Sequence, residues 1–363
     1  MQIAARARAF LAPFSLLLFT AALHAAPVPY AELDVTIPSA PGVTLAGTLT
    51  ALQAPDRKLP AILLISGAGP QDRDGAASGH KPFLLLSDFL TRRGMVVLRV
   101  DDRGTAKSTG NFNTATTADF AADADAELQY LRSRPEVDPG HVGVLGHGEG
   151  ASIAAMLAAK DPKIAFAILL ACPAVPGIDV LVAQTSEAQS ASGLPQEQIQ
   201  ADADIGSTLY KLAGEGKSQH ELESALKKVS RGLPPAVVQP WTAQIPRLTS
   251  PWLRFFVAYN PATALEHVTC PVLALYGERD LQVIPAQNAP ELEQALKRAH
   301  NREVTIRLLP QLNYMFQRSR TGLAWEYAAI PEDMSSVALN EIGRWLSKFA
   351  SAGEAGKLSP SQS

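Results

Sequence analysis

VGVLGHGEGA, residues 142–151, is the stretch of sequence that decides the fold of this chain. The mostly apolar residues Val142–Gly146 predict a short buried strand, and the small residues Gly150–Lys160 predict a helix directly after it. Gly146 and Gly148 allow the chain to turn sharply between the two, because glycine has no Cβ to clash. The stretch therefore predicts a strand–turn–helix unit, the building block of a parallel sheet with helices on its faces.

Strands and helices continue to alternate on both sides of this turn. Apolar runs predict further strands over Ala61–Ser66, Val96–Val100, Phe166–Cys172, Val272–Tyr276 and Val304–Leu309. Apolar residues at helical spacing predict helices over Phe83–Arg93, Ala118–Arg134, Gln287–Arg298 and Ser335–Phe349. A hairpin with strands Leu33–Ile37 and Val43–Leu52, joined at Pro41-Gly42, is predicted before them. Apolar strands separated by helices predict an α/β fold, a mostly parallel sheet flanked by helices.

One segment interrupts this alternation. Between Pro173 and Pro251 no strand is predicted, only two polar helical stretches, Gln196–Ala213 and Gln219–Val229, and a proline-rich return. We interpret residues 173–255 as a helical cap inserted after the sixth strand. The two parts of the core are then residues 27–172 and 256–350, and the small polar residues 351–363 are predicted to form a frayed tail.

The composition is that of an ordinary globular protein. Of 363 residues, 47% are hydrophobic and 18% are charged, which excludes a collagen, a coiled coil, a disordered chain and a polytopic membrane protein. The net charge is −3 and no run of lysine or arginine occurs, so the sequence offers no electrostatic support for a nucleic-acid partner.

The N-terminus has the pattern of a signal peptide over residues 1–26. Arg6 and Arg8 precede the apolar run Ala9–Leu23, and His24-Ala25-Ala26 provides small residues at the expected cleavage site. The apolar run is short for a membrane span. The mature protein is expected to begin near Pro27 and to be periplasmic or secreted, with no stable membrane span after cleavage. A retained N-terminal anchor remains the alternative.

The two cysteines are predicted to stay reduced. Cys172 ends one predicted strand and Cys270 precedes the next one, so a parallel sheet places them at opposite edges. That separation exceeds the Cα distance of about 7 Å beyond which a disulfide cannot form.

Residues 146–151, GHGEGA, have the frame of the nucleophile elbow G-x-S-x-G, with Gly148 where the chemistry needs a hydroxyl. Five further blocks accompany this one along nearly the whole mature chain: SGAGPQDRDG at 66–75, DDRGTAKSTG at 101–110, SPWLRFF at 250–256, CPVLALYGERDLQV at 270–283 and LPQLNYMFQ at 309–317. With these blocks the chain resembles a family of secreted bacterial α/β-hydrolases related to carboxylesterases and dienelactone hydrolases.

The resemblance implies an α/β-hydrolase fold and a catalytic triad, of which one member is present. Asp280 matches the acid, Gly148 stands in the position of the nucleophilic serine, and Tyr314 stands in the position of the histidine. The two backbone donors of an oxyanion hole match Ala68 and Glu149, and they do not depend on side chains. In the cap, Trp252 and Phe255 are expected to bind substrate.

No other residue is predicted to replace the missing serine and histidine. Ser152 lies one helical turn beyond Gly148, and the side chain of His147 should diverge from the elbow. Cys172 has no evident cationic partner to lower its pKa. Tyr314 is a poor base, since tyrosine has a pKa near 10 and a neighbouring carboxylate raises it. A hydrogen bond between Tyr314 and Asp280 is the arrangement that we expect.

Other kinds of site are disfavoured, and no cofactor and no metal is predicted. The spacing G-x-G-x-x-A at 146–151 formally matches a dinucleotide fingerprint, but the following strand ends without the carboxylate that ribose binding needs. Asp72 and Asp74 lack the remaining ligands of a calcium loop, and no zinc motif occurs. Residues 101–103, Asp-Asp-Arg, are interpreted as a structural ion pair and turn cap.

The sequence thus favours a carboxylic-ester hydrolase type of protein that is catalytically impaired and retained for binding a small ester or acyl ligand, or for regulation. Loss of the serine side chain is expected to enlarge the pocket by about one small group. Two alternatives stay open: an active hydrolase of low rate or without a serine, and a degenerate gene product. The oligomeric state is left open.

Overall fold

The computed structural model describes residues 30–53 and 57–350, with the side chain of residue 350 excepted. The predicted signal peptide and the predicted tail lie outside these ranges. The described residues form a single sheet of eight strands in the order β1-β2-β4-β3-β5-β6-β7-β8. The strands are β1 Tyr30–Ala40, β2 Val43–Leu52, β3 Leu59–Ile65, β4 Val96–Val100, β5 Val137–His147, β6 Ala167–Leu170, β7 Val272–Gly277 and β8 Val304–Leu309.

The sheet is mostly parallel, as the alternation of strands and helices predicts. β1 pairs antiparallel with β2, and β2 pairs antiparallel with β4, while every other neighbouring pair is parallel. In the centre of the sheet Leu63 of β3 lies opposite Leu98 of β4 on one side and Val144 of β5 on the other. These three side chains are fully buried, which explains why the central strands are apolar on both faces.

Helices cover the sheet on both faces. The α-helices among the described residues are α1 Pro82–Thr91, α2 Thr117–Ser133, α3 Glu149–Lys160, α4 Gly177–Ala191, α5 Gln196–Gly214, α6 Gln219–Val229, α7 Pro235–Leu248, α8 Pro251–Ala258, α9 Ala262–Leu265, α10 Pro285–Arg298 and α11 Ser336–Ala350. α2 starts where Thr116 and Asp119 form a reciprocal capping box. Its residues Leu128 and Leu131 are completely buried in the core that the helix forms with the sheet.

The inserted cap contains more helices than the sequence predicts. α5 and α6 agree with the prediction, but α4, α7 and the start of α8 fall where only irregular chain was expected. α7 was missed because Pro240 and Pro246 lie inside it. Each proline removes one backbone donor, and the buried side chains of Trp241 and Ile245 compensate by packing into an apolar cluster of the cap itself.

Two further observations bear on the expected class of protein. Cys172 and Cys270 are free thiols, as predicted. Within residues 30–53 and 57–350, no helix has both the length and the apolar character needed to cross a bilayer.

Candidate functional site

The predicted elbow is formed by the end of β5, Gly148 and the start of α3. Gly148 has φ +57° and ψ −117°, a backbone conformation that only glycine adopts without strain. A Cβ on Gly146 would overlap the backbone of Gly150, and a Cβ on Gly150 would overlap the carbonyl oxygen of Ile65 at the end of β3. The glycines of this motif are therefore required by close backbone packing, with or without a nucleophile at residue 148.

The side chain of Tyr314 fills the space beside this elbow. Tyr314 lies in the loop after β8, and an ideal Cβ on Gly148 would overlap its hydroxyl oxygen. The same hydroxyl oxygen would be 3.2 Å from a Cβ placed on Gly67, in the turn after β3. Tyr314 thus projects between the elbow and the predicted oxyanion turn. The expectation that a missing serine side chain enlarges the pocket is wrong, because a tyrosine hydroxyl occupies the vacated volume.

Asp280, the predicted acid, is buried in the loop after β7. Its Oδ1 atom accepts hydrogen bonds from the backbone N–H groups of Gln282 at 2.7 Å and Val283 at 2.9 Å. Its buried Oδ2 atom has no hydrogen-bond partner among the described residues. Burial raises the pKa of Asp280 to about 7, and the two N–H donors oppose this rise. The carboxyl group is thus only half satisfied.

The expected hydrogen bond between Tyr314 and Asp280 is not formed, so that prediction is wrong. Asp280 accepts only backbone hydrogen bonds from described residues. The tyrosine hydroxyl lies instead in the space beside Gly148. Burial, with Asp280 as the next cause, raises the pKa of Tyr314 far above its ordinary value. The phenol is therefore neutral and cannot act as a base at neutral pH.

His147 packs against the loop that carries Tyr314. Its Nε2 atom donates a hydrogen bond of 2.9 Å to the backbone carbonyl of Tyr314, and the two rings lie 4.2 Å apart between centroids. Burial lowers the pKa of His147 to about 4, so the imidazole is neutral. This histidine holds the tyrosine loop against the elbow.

The predicted oxyanion donors occupy suitable places in the backbone. Ala68 lies in the turn after β3, and Glu149 is the first residue of α3, where a helix carries unpaired N–H groups and a positive dipole end. Neither backbone N–H donates a hydrogen bond to another described residue. Their role as oxyanion donors stays a prediction.

The side chain of Glu149 has a function that sequence reasoning missed. Its carboxyl group accepts a hydrogen bond from the indole N–H of Trp252 at 2.9 Å and another from the hydroxyl of Thr117 at 2.6 Å. Burial raises the pKa of this carboxyl. Trp252 lies at the start of α8, so this hydrogen bond joins the cap to the elbow. The only sequence signal was a glutamate placed immediately after Gly148.

A cleft of about 360 Å³ opens next to the oxyanion turn. It is lined by Ala68, Gly69, Pro70, Phe112, Asn113, Arg247, Ser250 and Trp252. Of the two predicted cap residues, Trp252 borders this cleft, whereas Phe255 stacks on Tyr259 with ring centroids 5.6 Å apart and is not in the lining. We refer to this space as the elbow cleft.

Residues 101–103 form structural contacts in the loops around the site, in agreement with their interpretation as an ion pair and turn cap. Asp101 forms a two-point ion pair with Arg73, at 3.0 and 2.7 Å. Asp102 accepts a hydrogen bond of 2.6 Å from Ser66, and Arg103 pairs with Asp123 in helix α2.

Behind the elbow lies a small polar cavity of about 30 Å³, lined among others by Asp102, Glu127 and Glu149. Burial raises the pKa of Asp102 to about 7 and that of Glu127 well above its ordinary value. No group of three or more potential metal ligands is arranged around a common point in the described part of the chain.

These features define a class of protein. A parallel sheet covered by helices, a strand–elbow–helix turn after the fifth strand and an acid after the seventh strand are the arrangement of an α/β-hydrolase, with a helical cap inserted after the sixth strand. A family model described as X-Pro dipeptidyl-peptidase (S15 family) matches residues 42–310. The chain belongs to this family.

Several proteins that are similar to this chain carry the names of hydrolases. Esterase EstD of Thermotoga maritima is 25% identical over 327 residues, which cover 89% of this chain and 69% of the esterase. An esterase of Pyrococcus furiosus shares the fold with a TM-score of 0.54 at 16% identity, over 89% of this chain and 92% of its own. A protein of Klebsiella pneumoniae assigned as a dienelactone hydrolase has a TM-score of 0.51 at 15% identity, over 88% of this chain and 98% of its own.

Proposed function

We propose that this protein is a catalytically impaired α/β-hydrolase, retained to bind a small ester or acyl ligand or to serve in regulation. The observation that carries the proposal is the position of the Tyr314 hydroxyl, which fills the space of the side chain that residue 148 lacks. A serine could not be accommodated there without movement of the tyrosine. The two substituted positions thus fit each other.

The remaining nucleophiles and bases do not form a catalytic pair. Ser152 is buried within α3, one turn beyond the elbow, and burial raises the pKa of the Cys172 thiol. His147 donates its hydrogen bond to a backbone carbonyl. Nucleophilic catalysis needs a nucleophile within hydrogen-bond reach of a base, and none of these side chains meets that condition.

The lack of a paired nucleophile and base bears on peptide hydrolysis as well as on ester hydrolysis, the two reactions named in the family model and in EstD. The family is named for dipeptidyl peptidases and EstD is an esterase. Both are acyl transfers, and in a serine hydrolase each needs an activated serine and an oxyanion hole. The oxyanion donors Ala68 and Glu149 and the adjoining elbow cleft would suffice for binding an ester or acyl group without turnover.

The proposal includes a location outside the cytoplasm, in the periplasm or secreted. It is supported by the basic, apolar and small-residue regions of residues 1–26. The N-terminal sequence of the protein isolated from its host tests this directly, since a start near Pro27 is expected. A start at Met1 in a membrane fraction would contradict it.

The catalytic part is tested with the purified mature protein. We expect no turnover of short-chain aryl esters or X-Pro anilides above the background rate and no covalent labelling by serine-directed phosphonates. Turnover at about 1–10³ s⁻¹, which is ordinary for enzymes, would contradict the proposal. Binding is tested by thermal-shift measurements with acyl esters, phenolic esters and peptides. If no compound shifts the melting temperature, the result supports a degenerate gene product instead.

A further inference from the structure

A second cavity lies within the cap, next to the elbow cleft. It has a volume of about 450 Å³ and is bordered by helices α4, α5, α7 and α8. Its lining combines leucines with amides and hydroxyls: Leu181, Gln184, Thr185, Ala188, Gln189, Ser192, Leu194, Tyr210, Gln244, Arg247, Leu248, Leu253 and Gln282. We call it the cap groove. Its size is within the range of small-molecule sites in proteins.

Arg247 is the one residue that lines both the cap groove and the elbow cleft. It is also the one charged residue in either lining. Arg247 lies in the last turn of α7, with its guanidinium carbon 5.8 Å from the centre of the Trp252 ring. Trp252 is itself held by the buried carboxyl of Glu149. The ring on which Arg247 rests is therefore fixed to the elbow.

The guanidinium group of Arg247 forms no ion pair with an aspartate or glutamate in the described part of the chain. By contrast, the site arginines Arg73 and Arg103 each pair with a buried aspartate. Arg247 is thus an exposed cation that borders both cavities, and no carboxylate of a described residue lines either of them.

The cap groove is lined not only by cap residues but also by Gln282, in the loop after β7. Gln282 donates its backbone N–H to Asp280. One wall of the groove therefore belongs to the loop that carries Asp280. The leucines offer an apolar surface to the body of a ligand. Of the lining amides, Gln184 donates a hydrogen bond to Gln282, and Gln189 donates one to Asp202.

We infer that the cap groove and the elbow cleft together form a binding site for a small carboxylic acid with an apolar body, whose carboxylate is held by Arg247. A guanidinium group binds a carboxylate through two parallel hydrogen bonds, which makes arginine the most suitable side chain for this ligand. The inference rests on the proposed ligand-binding function and deepens it by naming the chemical class. The site selects the free acid over its neutral ester.

The test compares matched pairs of ligands by isothermal titration calorimetry at pH 7.5. The probes are hexanoate, decanoate and 4-phenylbutyrate, each beside its methyl ester, titrated into the mature protein. We expect at least one acid to bind about 10-fold or more tightly than its ester. Its affinity should fall with rising salt concentration, because the contact is between charges.

Variants of Arg247 test whether this side chain causes the tighter binding of the acid. Arg247→Gln should weaken binding of the acid about 10-fold and leave the ester unchanged, and Arg247→Lys should give an intermediate affinity because it keeps the charge without the two-point geometry. The control is Arg231→Gln, which removes an exposed cap arginine outside both linings and should change neither affinity. Melting temperatures of the variants show whether they fold.

The possible outcomes separate this inference from the proposed function. If esters bind as tightly as acids, or if Arg247→Gln leaves acid affinity unchanged, the assignment of a carboxylate site is wrong while ligand binding stands. If neither the acids nor the esters bind below about 1 mM, both this inference and the binding role proposed above are overturned.

Discussion

The hydroxyl oxygen of Tyr314 occupies the space into which a Cβ atom on residue 148 would project. Residues 148 and 314, which the proposal assigns to the serine and histidine positions of a triad, are therefore sterically coupled. Serine and histidine of a triad act as a unit, and loss of either alone removes nearly all of the rate. Under the proposed impairment, loss of one residue would remove the catalytic requirement for the other, and steric fit is what relates residues 148 and 314 in the structure.

The first prediction concerns this steric coupling. Gly148→Ala should lower the free energy of unfolding by about 1–3 kcal/mol, because the new methyl group meets the Tyr314 hydroxyl and the backbone there has positive φ. Combined with Tyr314→His, the same substitution should cost less. A double-mutant cycle from urea unfolding measures the coupling. Strict additivity of the two changes would show that the overlap carries no energy.

The second prediction concerns catalysis. Gly148→Ser together with Tyr314→His should restore measurable hydrolysis of short-chain aryl esters and labelling by phosphonates, because Asp280 and the predicted oxyanion donors Ala68 and Glu149 are present. Either change alone should restore little. Adding Asp280→Asn to the double variant should abolish the gain. A double variant that folds, as judged by its melting curve, but stays inert would show that the site has diverged beyond these two positions.

The third prediction concerns pH. Burial raises the pKa of Asp280 from the ordinary range of an aspartate to about 7, so the folded state holds this proton more tightly than the unfolded state does. The resulting stabilisation is complete below the unfolded pKa and is lost as pH rises to about 7, at about 1.4 kcal/mol per pH unit for one such group. Asp280→Asn should therefore raise the melting temperature relative to the original protein at pH 8 and leave it similar at pH 4. A difference independent of pH would contradict the raised pKa.

The fourth prediction concerns the attachment of the cap. Trp252→Phe removes the indole N–H that donates a hydrogen bond to the buried carboxyl of Glu149. This loss should lower the free energy of unfolding by about 1–3 kcal/mol. Amide hydrogen exchange in α8 should increase as the cap loosens. The matched control is Trp325→Phe, since the side chain of Trp325 is 71% exposed and has no such bond. Equal effects of the two substitutions would contradict the role given to Trp252.

Much of the fold follows from the sequence because burial imposes simple patterns on it. Continuous apolar runs predicted the central strands, and Val96–Val100 and Val304–Leu309 have the predicted bounds. The cap was harder to predict. α7 contains two internal prolines, which usually end helices, and it is stable because its buried face packs on neighbouring cap helices. That compensation comes from residues far along the chain.

For the candidate site, the sequence likewise predicted some features and not others. The positions of Gly148, Asp280 and Tyr314 could be assigned from short motifs, because each follows a recognisable strand. The contacts of their side chains could not. Tyr314 was expected to bond to Asp280, but its hydroxyl lies at the elbow and leaves Asp280 Oδ2 without a partner among the described residues.

The sequence by itself determined the parallel sheet, the strand–turn–helix unit at residue 148 and the identities of Gly148 and Tyr314, since these depend on local pattern and residue identity. Only the tertiary structure decided that Tyr314 fills the space beside Gly148 and that Glu149 binds Trp252 of the cap. The physical reason is distance along the chain, since His147 and Tyr314 are 167 residues apart. They are in contact only because the carboxyl end of β5 and the loop after β8 lie close together in the folded sheet. Local propensities carry no information about such a contact.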